Sequence, residues 1–375
     1  MSLSLFRVEL YDKAYTRLGR LGGYRSLSVT LRHNAVGTWT LVARGTDANA
    51  AMLAEPGNRV CIYYRDQLVL SGPMTPARVS GSSGGSTLTV SGIDDLAWLS
   101  RRLAWPVPGS VIGSQSGAEY DVRTGNAETV IKGYVTANAV TRLPVPGLSV
   151  ATNGNRGATV TGRARMQTVL EVVAPLADAG GIGLRLRQSG AGIVFDCYTP
   201  ATVPVRLSEK LSNLRDWEYE ASAPAATRMV GGGQGEGTAR VFRSRTTGVA
   251  QDETDWGIIE AFVDARDVSN TTELDARIDA KLLEAAPLAG FAVTPRETAA
   301  MRFGTDYNLG DKVRVEVADG VTVDDVIREV TLDDTRDGPS VVPIVGSPGN
   351  AQPENAVYRR IQDLGRDVMN LQTRR

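Results

Sequence analysis

Alternating apolar and polar positions dominate the first hundred residues. Leu27, Val29 and Leu31 alternate with serine and threonine, and TWTLV and STLTVSG repeat this period of two, which is typical of strands with one buried face. VCIYYRDQLVLSG predicts a hairpin, and the spacings of three and four in IDDLAWLSRRL predict a short helix. Strands that end in a helix indicate a small β-barrel or sandwich, and we expect a first small β-barrel domain over residues 1–104.

The pattern changes between residues 105 and 204. WPVPGSVIGSQSG has the composition of a linker, and helices are predicted over residues 127–139 and 166–181, the second with a glycine stop. IGLRLRQSGAGIVFDCYTP predicts a hairpin with a glycine-rich tip. We therefore expect residues 105–204 to form a middle α+β domain.

Strand patterns resume after residue 205. A glycine-dense turn in GGGQGEG precedes the amphipathic helix TELDARIDAKLLEAAP and the strands FAVTP, LGDKVRVEV and VTVDDVIREVTLD, in which the pair Asp324–Asp325 predicts a turn. These segments predict a second β-barrel domain over residues 205–346. The expected fold class is mainly β, with two small barrels, an α+β insertion, and a linker and C-terminal coiled-coil helix over residues 347–375.

The last segment, VYRRIQDLGRDVMNLQTRR, carries a heptad seam. Its apolar residues repeat at steps of four and three, which predicts an oligomerisation site formed by Ile361 and Val368 at a positions and Val357, Leu364 and Leu371 at d positions. β-branched a residues with mostly Leu at d favour two strands, but so short a seam does not associate strongly by itself. A helix folded back on its own domain remains the alternative.

Charge and hydropathy narrow the range of possible functions. Lys and Arg total 41 against 42 Asp and Glu, so the chain lacks the basic excess of a protein that grips nucleic acid, although DNA could pass along it. MSLSLFRVELYDK alternates instead of forming a signal peptide, and no run approaches the roughly 18 apolar residues of a membrane span. We expect synthesis in a cytoplasm and no stable membrane insertion.

Residues that could carry chemistry are few. The one histidine, His33, lies in a strand-like context, and the two cysteines, Cys61 and Cys197, lie in apolar runs typical of buried free thiols. These residues cannot supply the three or four nitrogen or sulfur ligands of a zinc site, and a catalytic triad would have to use His33. No metal or cofactor is expected.

Glycines and paired carboxylates also favour structural roles. GGGQGEG matches neither a dinucleotide-binding nor a P-loop pattern, and its glycines indicate a positive-φ loop or close backbone approach. Carboxylate pairs occur near helix starts and turns, where acidic side chains are common, at Asp94/Asp95, Asp252/Glu253 with Asp255, Asp324/Asp325 and Asp333/Asp334.

Several segments together resemble a known family. ATRMVGGGQGEGTAR, DWGIIEAFVDARD and RFGTDYNLGDKVRVEV occur in the order found in the tail-hub, or minor tail, proteins of long-tailed actinobacterial phages, and NAVGTWTLV, YYRDQLVLSGPMTP and TLTVSGIDDLAWLSRRLAWP fit the same family. The resemblance spans about residues 5–345.

The resemblance implies a structural and non-enzymatic role. Hubs of this kind are similar to baseplate hubs, in which two barrel domains per chain form a pseudo-hexameric ring in a homotrimer that closes the tail tube. It implies a location at the distal tail tip of the virion, an anchored central fibre or spike protein, and passage of DNA without specific binding. The implied partners are copies of the same chain and a distal tail or tail-tube protein, with the tape measure protein as a further candidate.

Two other functions remain open from the sequence. A tail-associated cell-wall hydrolase would use two carboxylates, such as Asp95 and Asp255, as acid and base. A receptor-binding module would hold a surface glycan on the middle domain. The phage host, the residues that line the lumen, and the choice between a phage and a phage-derived injection particle lie beyond the sequence.

Overall fold

The computed structural model describes residues 5–82, 85–221, 223–247, 250–285, 289–295, 301–318 and 321–347. The chain divides into two compact units. The larger unit contains residues 1–205, 296–313 and 326–343, and the smaller unit contains residues 206–295, 314–325 and 344–375.

Strands supply most of the regular structure. In chain order they are β1 (Phe6–Tyr11), β2 (Arg17–Leu21), β3 (Ser26–Arg32), β4 (Thr38–Arg44), β5 (Arg59–Tyr64), β6 (Gln67–Ser82), β7 (Gly85–Ile93), β8 (Asp121–Asn126), β9 (Leu148–Val150), β10 (Thr159–Ala164), β11 (Gly183–Ser189), β12 (Gly192–Tyr198), β13 (Thr202–Ser208), β14 (Leu214–Ala221), β15 (Arg228–Gly232), β16 (Phe242–Thr246), β17 (Glu260–Asp264), β18 (Ala289–Pro295), β19 (Lys312–Ala318), β20 (Val321–Thr335) and β21 (Gly338–Ser347).

Helices are fewer and mostly short. They are α1 (Ala48–Leu53), α2 (Ala97–Ser100), α3 (Ala127–Val135), α4 (Val169–Gly180), α5 (Ala250–Trp256) and α6 (Thr271–Glu284). The helix α3 continues as a π-helical segment, Thr136–Arg142. Among the described residues, no helix is both long and apolar enough to cross a membrane.

The larger unit contains an antiparallel sheet in the order β20-β3-β4-β7-β6-β5-β1-β2. The predicted alternation in β3 is confirmed, because Leu27, Val29 and Leu31 are buried while the residues between them are partly exposed. Val29 pairs with Trp39 of β4, whose side chain is 1% exposed. The period of two therefore places one face of this sheet in the core.

The long strand β6 changes partner along its length. Its first half pairs with β5 and its second half with β7, and the register shifts between Met74 and Ala77. At one close approach of the strands, a Cβ atom on Gly92 would lie 2.4 Å from the Trp39 ring and 2.3 Å from the Pro73 carbonyl oxygen. A glycine is therefore required at position 92 for this close approach.

The prediction of closed β-barrels is wrong for the described residues. In the larger unit the sheet path ends at β2 on one side, and no described pairing joins β2 to β20. β2 carries exposed Arg17 and Arg20, and charged side chains are typical of an edge strand. Local alternation gives each strand a buried face, but closure depends on pairing between distant strands.

The middle region of the larger unit has the predicted α+β character. β11 and β12 form the predicted hairpin, β9 pairs with β12 in parallel, and β8 pairs with β10. The predicted glycine stop of α4 is Gly181, in the left-handed conformation with φ 67°. At the other end Thr168 and Glu171 form a capping box, in which each side chain accepts the other's backbone N–H.

The smaller unit contains a separate three-stranded sheet in the order β16-β15-β17. One face packs on α6, where Met229, Leu274 and Ile278 are buried. A Cβ atom on Gly231 would lie 2.5 Å from the Ile278 side chain, and Gly235 has a φ of 114°. The glycine-rich stretch thus combines close packing against a helix with a positive-φ loop, as predicted.

The turn predicted at Asp324–Asp325 is wrong, because both residues lie inside β20. The Arg314 guanidinium on the neighbouring strand β19 donates hydrogen bonds of 2.7 and 3.0 Å to the Asp324 carboxylate. An ion pair between paired strands lets an acidic residue occupy a strand position.

Candidate functional site

The predicted oligomerisation residues lie outside the described part of the chain. Residues 348–375 contain all five, Val357, Ile361, Leu364, Val368 and Leu371. The terminal coiled coil therefore stays a prediction.

A buried ionic network links the sheet of the larger unit to its middle region. The Arg59 guanidinium of β5 donates hydrogen bonds to the Asp95 carboxylate and, at 2.9 Å, to the Gln188 side-chain oxygen of β11. Ser71 of β6 donates to the same carboxylate at 2.6 Å and accepts from the Gln188 backbone N–H at 2.8 Å. Arg59 and Asp95 are 3% and 0% exposed.

The electrostatics of this network are those of a structural ion pair. Burial raises the pKa of Asp95, and the neighbouring Arg59 charge and Ser71 hydroxyl oppose that rise. Arg59 also lies 4.5 Å from the centre of the Tyr15 ring. Since Asp95 is fully buried beside its own arginine, it is not placed to meet a cell-wall substrate.

A second cluster fixes α3 to β12 in the middle region. The Glu128 carboxylate accepts hydrogen bonds from Lys132 at 2.6 Å and from Arg156 at 2.9 and 3.0 Å. Lys132 also donates to Asp196 at 2.9 Å. Although burial opposes ionisation, the hydrogen bonds from Arg156 and Lys132 lower the pKa of Glu128 to about 2.

His33 follows β3 and is buried in the larger unit. Its Nδ1 lies 2.9 Å from the Tyr198 hydroxyl, and the Asn34 amide nitrogen lies 3.2 Å from its Nε2. Burial lowers the pKa of His33 to about 4, with the Asp178 carboxylate opposing the shift and the Arg328 guanidinium adding to it. The imidazole is therefore neutral at pH 7 and packs as part of the core.

The remaining candidate groups are buried or are hydrogen-bonded to the backbone. Cys61 and Cys197 are buried free thiols, as predicted, and burial raises the pKa of each to about 12. The Asp94 carboxylate accepts from the backbone N–H groups of Gly37 and Leu96. In the portion of the chain that is described, no group of three His, Cys, Asp or Glu side chains could hold a metal ion.

The three-stranded sheet of the smaller unit leaves its second face open to solvent. Phe242 and Phe262 on this face are 56% and 54% exposed, and their ring centres lie 6.5 Å apart. Arg240 lies over both rings, at 5.4 and 5.6 Å, and donates to the carbonyl oxygens of Gly232 and Gly233. We call Val230, Phe242, Phe262 and Arg240 the open sheet face.

The sequence of this chain matches a known protein family over most of its length. Residues 7–347 match the family described as Siphovirus ReqiPepy6 Gp37-like protein. The chain belongs to this family. No curated protein matches the Gp37-like chain in a sequence comparison.

Solved structures show what fold the Gp37-like chain has. It is similar to the tail protein from Neisseria meningitidis MC58, with a TM-score of 0.52 and 15% identity over 93% of this chain and 98% of that one. It is also similar to the 43 kDa tail protein of prophage MuSo2 from Shewanella oneidensis, with a TM-score of 0.52 and 15% identity over 90% of this chain and 98% of that one. The chain is thus a member of the Gp37-like family with the fold of phage tail proteins.

Sequence reasoning missed the buried ionic network and the open sheet face. Arg59 and Asp95 are far apart in the chain, so no local pattern connects them. Phe242 and Phe262 sit at alternating strand positions, but alternation does not tell which face a helix covers. The one available signal was the amphipathic α6, which can cover only one side of a sheet.

We predict that Arg59→Ala destabilises the larger unit strongly. It leaves the Asp95 carboxylate buried without its counter-charge, which costs about 3–5 kcal/mol of unfolding free energy. Arg165→Ala is the matched control, because the Arg165–Glu119 pair is half-exposed and worth under about 1 kcal/mol. Denaturant unfolding of the variants measures both values, and equal losses would contradict the structural role of the network.

The second prediction concerns acid stability. The folded pKa of His33, about 4, lies below the ordinary value of 6.5, so between these values the unfolded chain binds a proton that the folded chain does not. Stability is therefore lost as the pH falls through this window, by about 2 kcal/mol between pH 7 and 4.5. His33→Gln should remove the part of the stability loss that comes from His33. The free energy of unfolding, measured for both proteins at several pH values, tests this. Parallel pH curves for the two proteins would rule out the contribution of His33.

Proposed function

We propose that this Gp37-like protein is the structural hub of a phage tail tip. Three copies form a pseudo-hexameric ring that closes the distal end of the tail tube and anchors the central fibre or spike. The observation that carries the proposal is the fold, which extends over nearly the whole of this chain, of the Neisseria tail protein and of the MuSo2 prophage tail protein. The resemblance to actinobacterial tail hubs suggests the trimeric arrangement.

The open sheet face supports assembly between copies. Phe242 and Phe262 are more than half exposed on a strand surface that α6 leaves uncovered. Apolar side chains concentrated in this way are typical of protein–protein contacts. In an assembly of several copies, a neighbouring copy can cover the two phenylalanine side chains and remove them from water.

Charge supports DNA passage without capture. The formal net charge is −1, so the chain lacks the positive excess that would hold phosphates during ejection. The partners proposed with the ring are a distal tail or tail-tube protein on one side and the fibre or spike on the other, with the tape measure protein as a third. The location proposed is the distal tail tip of the virion, after synthesis in the host cytoplasm.

The terminal heptads are proposed as the clasp of the ring. Three bodies held in a ring would bring three helices together, so Val357, Ile361, Leu364, Val368 and Leu371 would pack as a short three-stranded seam. The ring would override the two-strand preference of the isolated seam, since local concentration strengthens weak contacts.

Light scattering on the purified chain tests this proposal. We expect a mass three times 40.0 kDa for residues 1–375 and a weakened or lost trimer after deletion of residues 350–375. The deletion is matched by a full-length variant, Leu364→Ala with Leu371→Ala, which keeps the segment but removes two d positions. Thermal unfolding of each protein checks that the two compact units remain folded.

The outcomes separate the parts of the proposal. A trimer that persists after deletion would keep the hub but make the helix a docking site for the next tail protein. A monomer at all concentrations would contradict self-assembly and return weight to the cell-wall hydrolase or the glycan-binding module, which stay alternatives.

A further inference from the structure

Three arginines of the larger unit lie together, and no acidic residue of the described segments pairs with them. Arg101 and Arg102 follow α2, and Arg142 ends the π-helical segment after α3. Leu103 and Leu143, which are 45% and 50% exposed, lie next to them in the chain. We call these five residues the arginine patch.

Hydrogen bonds hold the patch together. Arg102 donates from Nε to the Leu143 carbonyl oxygen at 2.9 Å, and Arg142 donates to the Leu103 carbonyl oxygen at 2.9 Å. The two segments therefore bind each other through their own arginines. The Arg102 and Arg142 guanidinium groups are fixed by backbone contacts instead of being free at the ends of flexible side chains.

Tryptophan rings also contact the guanidinium groups of the patch. Arg101 and Arg102 lie 5.0 and 5.9 Å from the centre of the Trp98 ring, and Arg142 lies 4.3 Å from that of Trp105. Arginine stacked on tryptophan is pre-organised for binding, because little side-chain freedom remains to be lost.

The positive charges repel one another. No carboxylate in the described ranges forms an ion pair with any of the three arginines, whereas Arg165 nearby in the middle region pairs with Glu119 at 2.8 Å. Burial lowers the pKa of Arg102, and the charge of Arg101 lowers it further; burial and Arg102 act on Arg142 in the same way. Like charges held close together favour an anion from outside.

Two buried donors lie in or beside the arginine patch. The Arg142 Nε and the indole Nε1 of Trp98 are enclosed and make no hydrogen bond within the described structure. Because both atoms are enclosed, a segment on the surface would meet the other guanidinium nitrogens of the patch and not these two.

We propose that the arginine patch docks an acidic segment of a neighbouring tail protein, one whose carboxylates flank apolar side chains. The carboxylates meet the arginines, and the apolar side chains cover Leu103 and Leu143. Arginine and tryptophan are enriched in interface hot spots, and the exposed leucines add apolar area that a partner can cover. The proposal rests on the chain being a tail component and does not require the trimer.

The observations favour a protein segment over DNA. The Trp98 and Trp105 rings already carry the chain's own guanidinium groups, so they do not offer open faces for stacked bases. Three charges on a chain of net charge −1 also do not make the extended basic track that a phosphate backbone requires.

Photo-crosslinking in assembled phage particles tests the proposal. Benzoylphenylalanine is placed at Leu103 or Leu143, with Val79 of β6, 69% exposed, as the control position outside the patch. After irradiation, mass spectrometry identifies the crosslinked peptide. We expect Leu103 and Leu143 to crosslink to one segment of a different tail protein, in which acidic residues flank apolar ones.

Charge reversal gives the matched comparison. Arg101→Glu should reduce the crosslink yield at Leu103 at least about fivefold, because a repelled carboxylate no longer docks, whereas Arg78→Glu on β6 should leave it unchanged. Arg101→Gln, which removes the charge without reversing it, should give an intermediate yield, and thermal unfolding checks that each variant is folded.

Several results would overturn the proposal. The first is a crosslink yield at Leu103 and Leu143 no higher than at Val79. The second is crosslinking to DNA, to another copy of this chain or to a segment without acidic residues. The third is an equal effect of Arg101→Glu and Arg78→Glu on the yield. An uncovered patch in particles that contain the chain would leave the proposed hub intact. Absence of the chain from purified particles would instead remove both proposals.

Discussion

Arg59 and Asp95 carry opposite charges into a part of the larger unit that water does not reach. Withdrawing two charges from water costs several kcal/mol for each ion, and this cost is offset only while their geometry and the surrounding hydrogen bonds are kept. Ser71 and Gln188 supply those bonds from β6 and β11. The position of the middle region against the sheet is therefore fixed by a polar network that tolerates little displacement.

The chain carries two surfaces of different chemistry. The arginine patch is basic, with its guanidinium groups fixed by backbone carbonyls and tryptophan rings. The open sheet face of the smaller unit is apolar, with one arginine between two phenylalanines. An assembly protein that meets different neighbours benefits from such a difference, because charge and apolar area select different partners.

Local pattern predicted much of the secondary structure. Alternation predicted β3, the segment VCIYYRDQLVLSG predicted the hairpin of β5 and β6, and glycine predicted the end of α4. It could not predict that the described strands form no closed barrel, because closure depends on pairing between strands distant in the chain.

The site was less predictable than the fold. The partner of Asp95 lies on another strand, and the partner of Asp324 lets an acidic pair remain inside a strand where a turn was expected. Exposed Phe242 and Phe262 carry no sequence signal that separates them from core residues. The heptad residues, including Ile361 and Val368, remain predictions from sequence alone.

The central claim is that copies of this chain form the ring at the end of the tail tube. Electron cryomicroscopy of the phage particle tests it most directly. The account predicts three copies around the tail axis at the distal end, each contributing its two compact units to a ring with an open channel. Density for the chain elsewhere in the particle, or a copy number other than three at the tip, would contradict it.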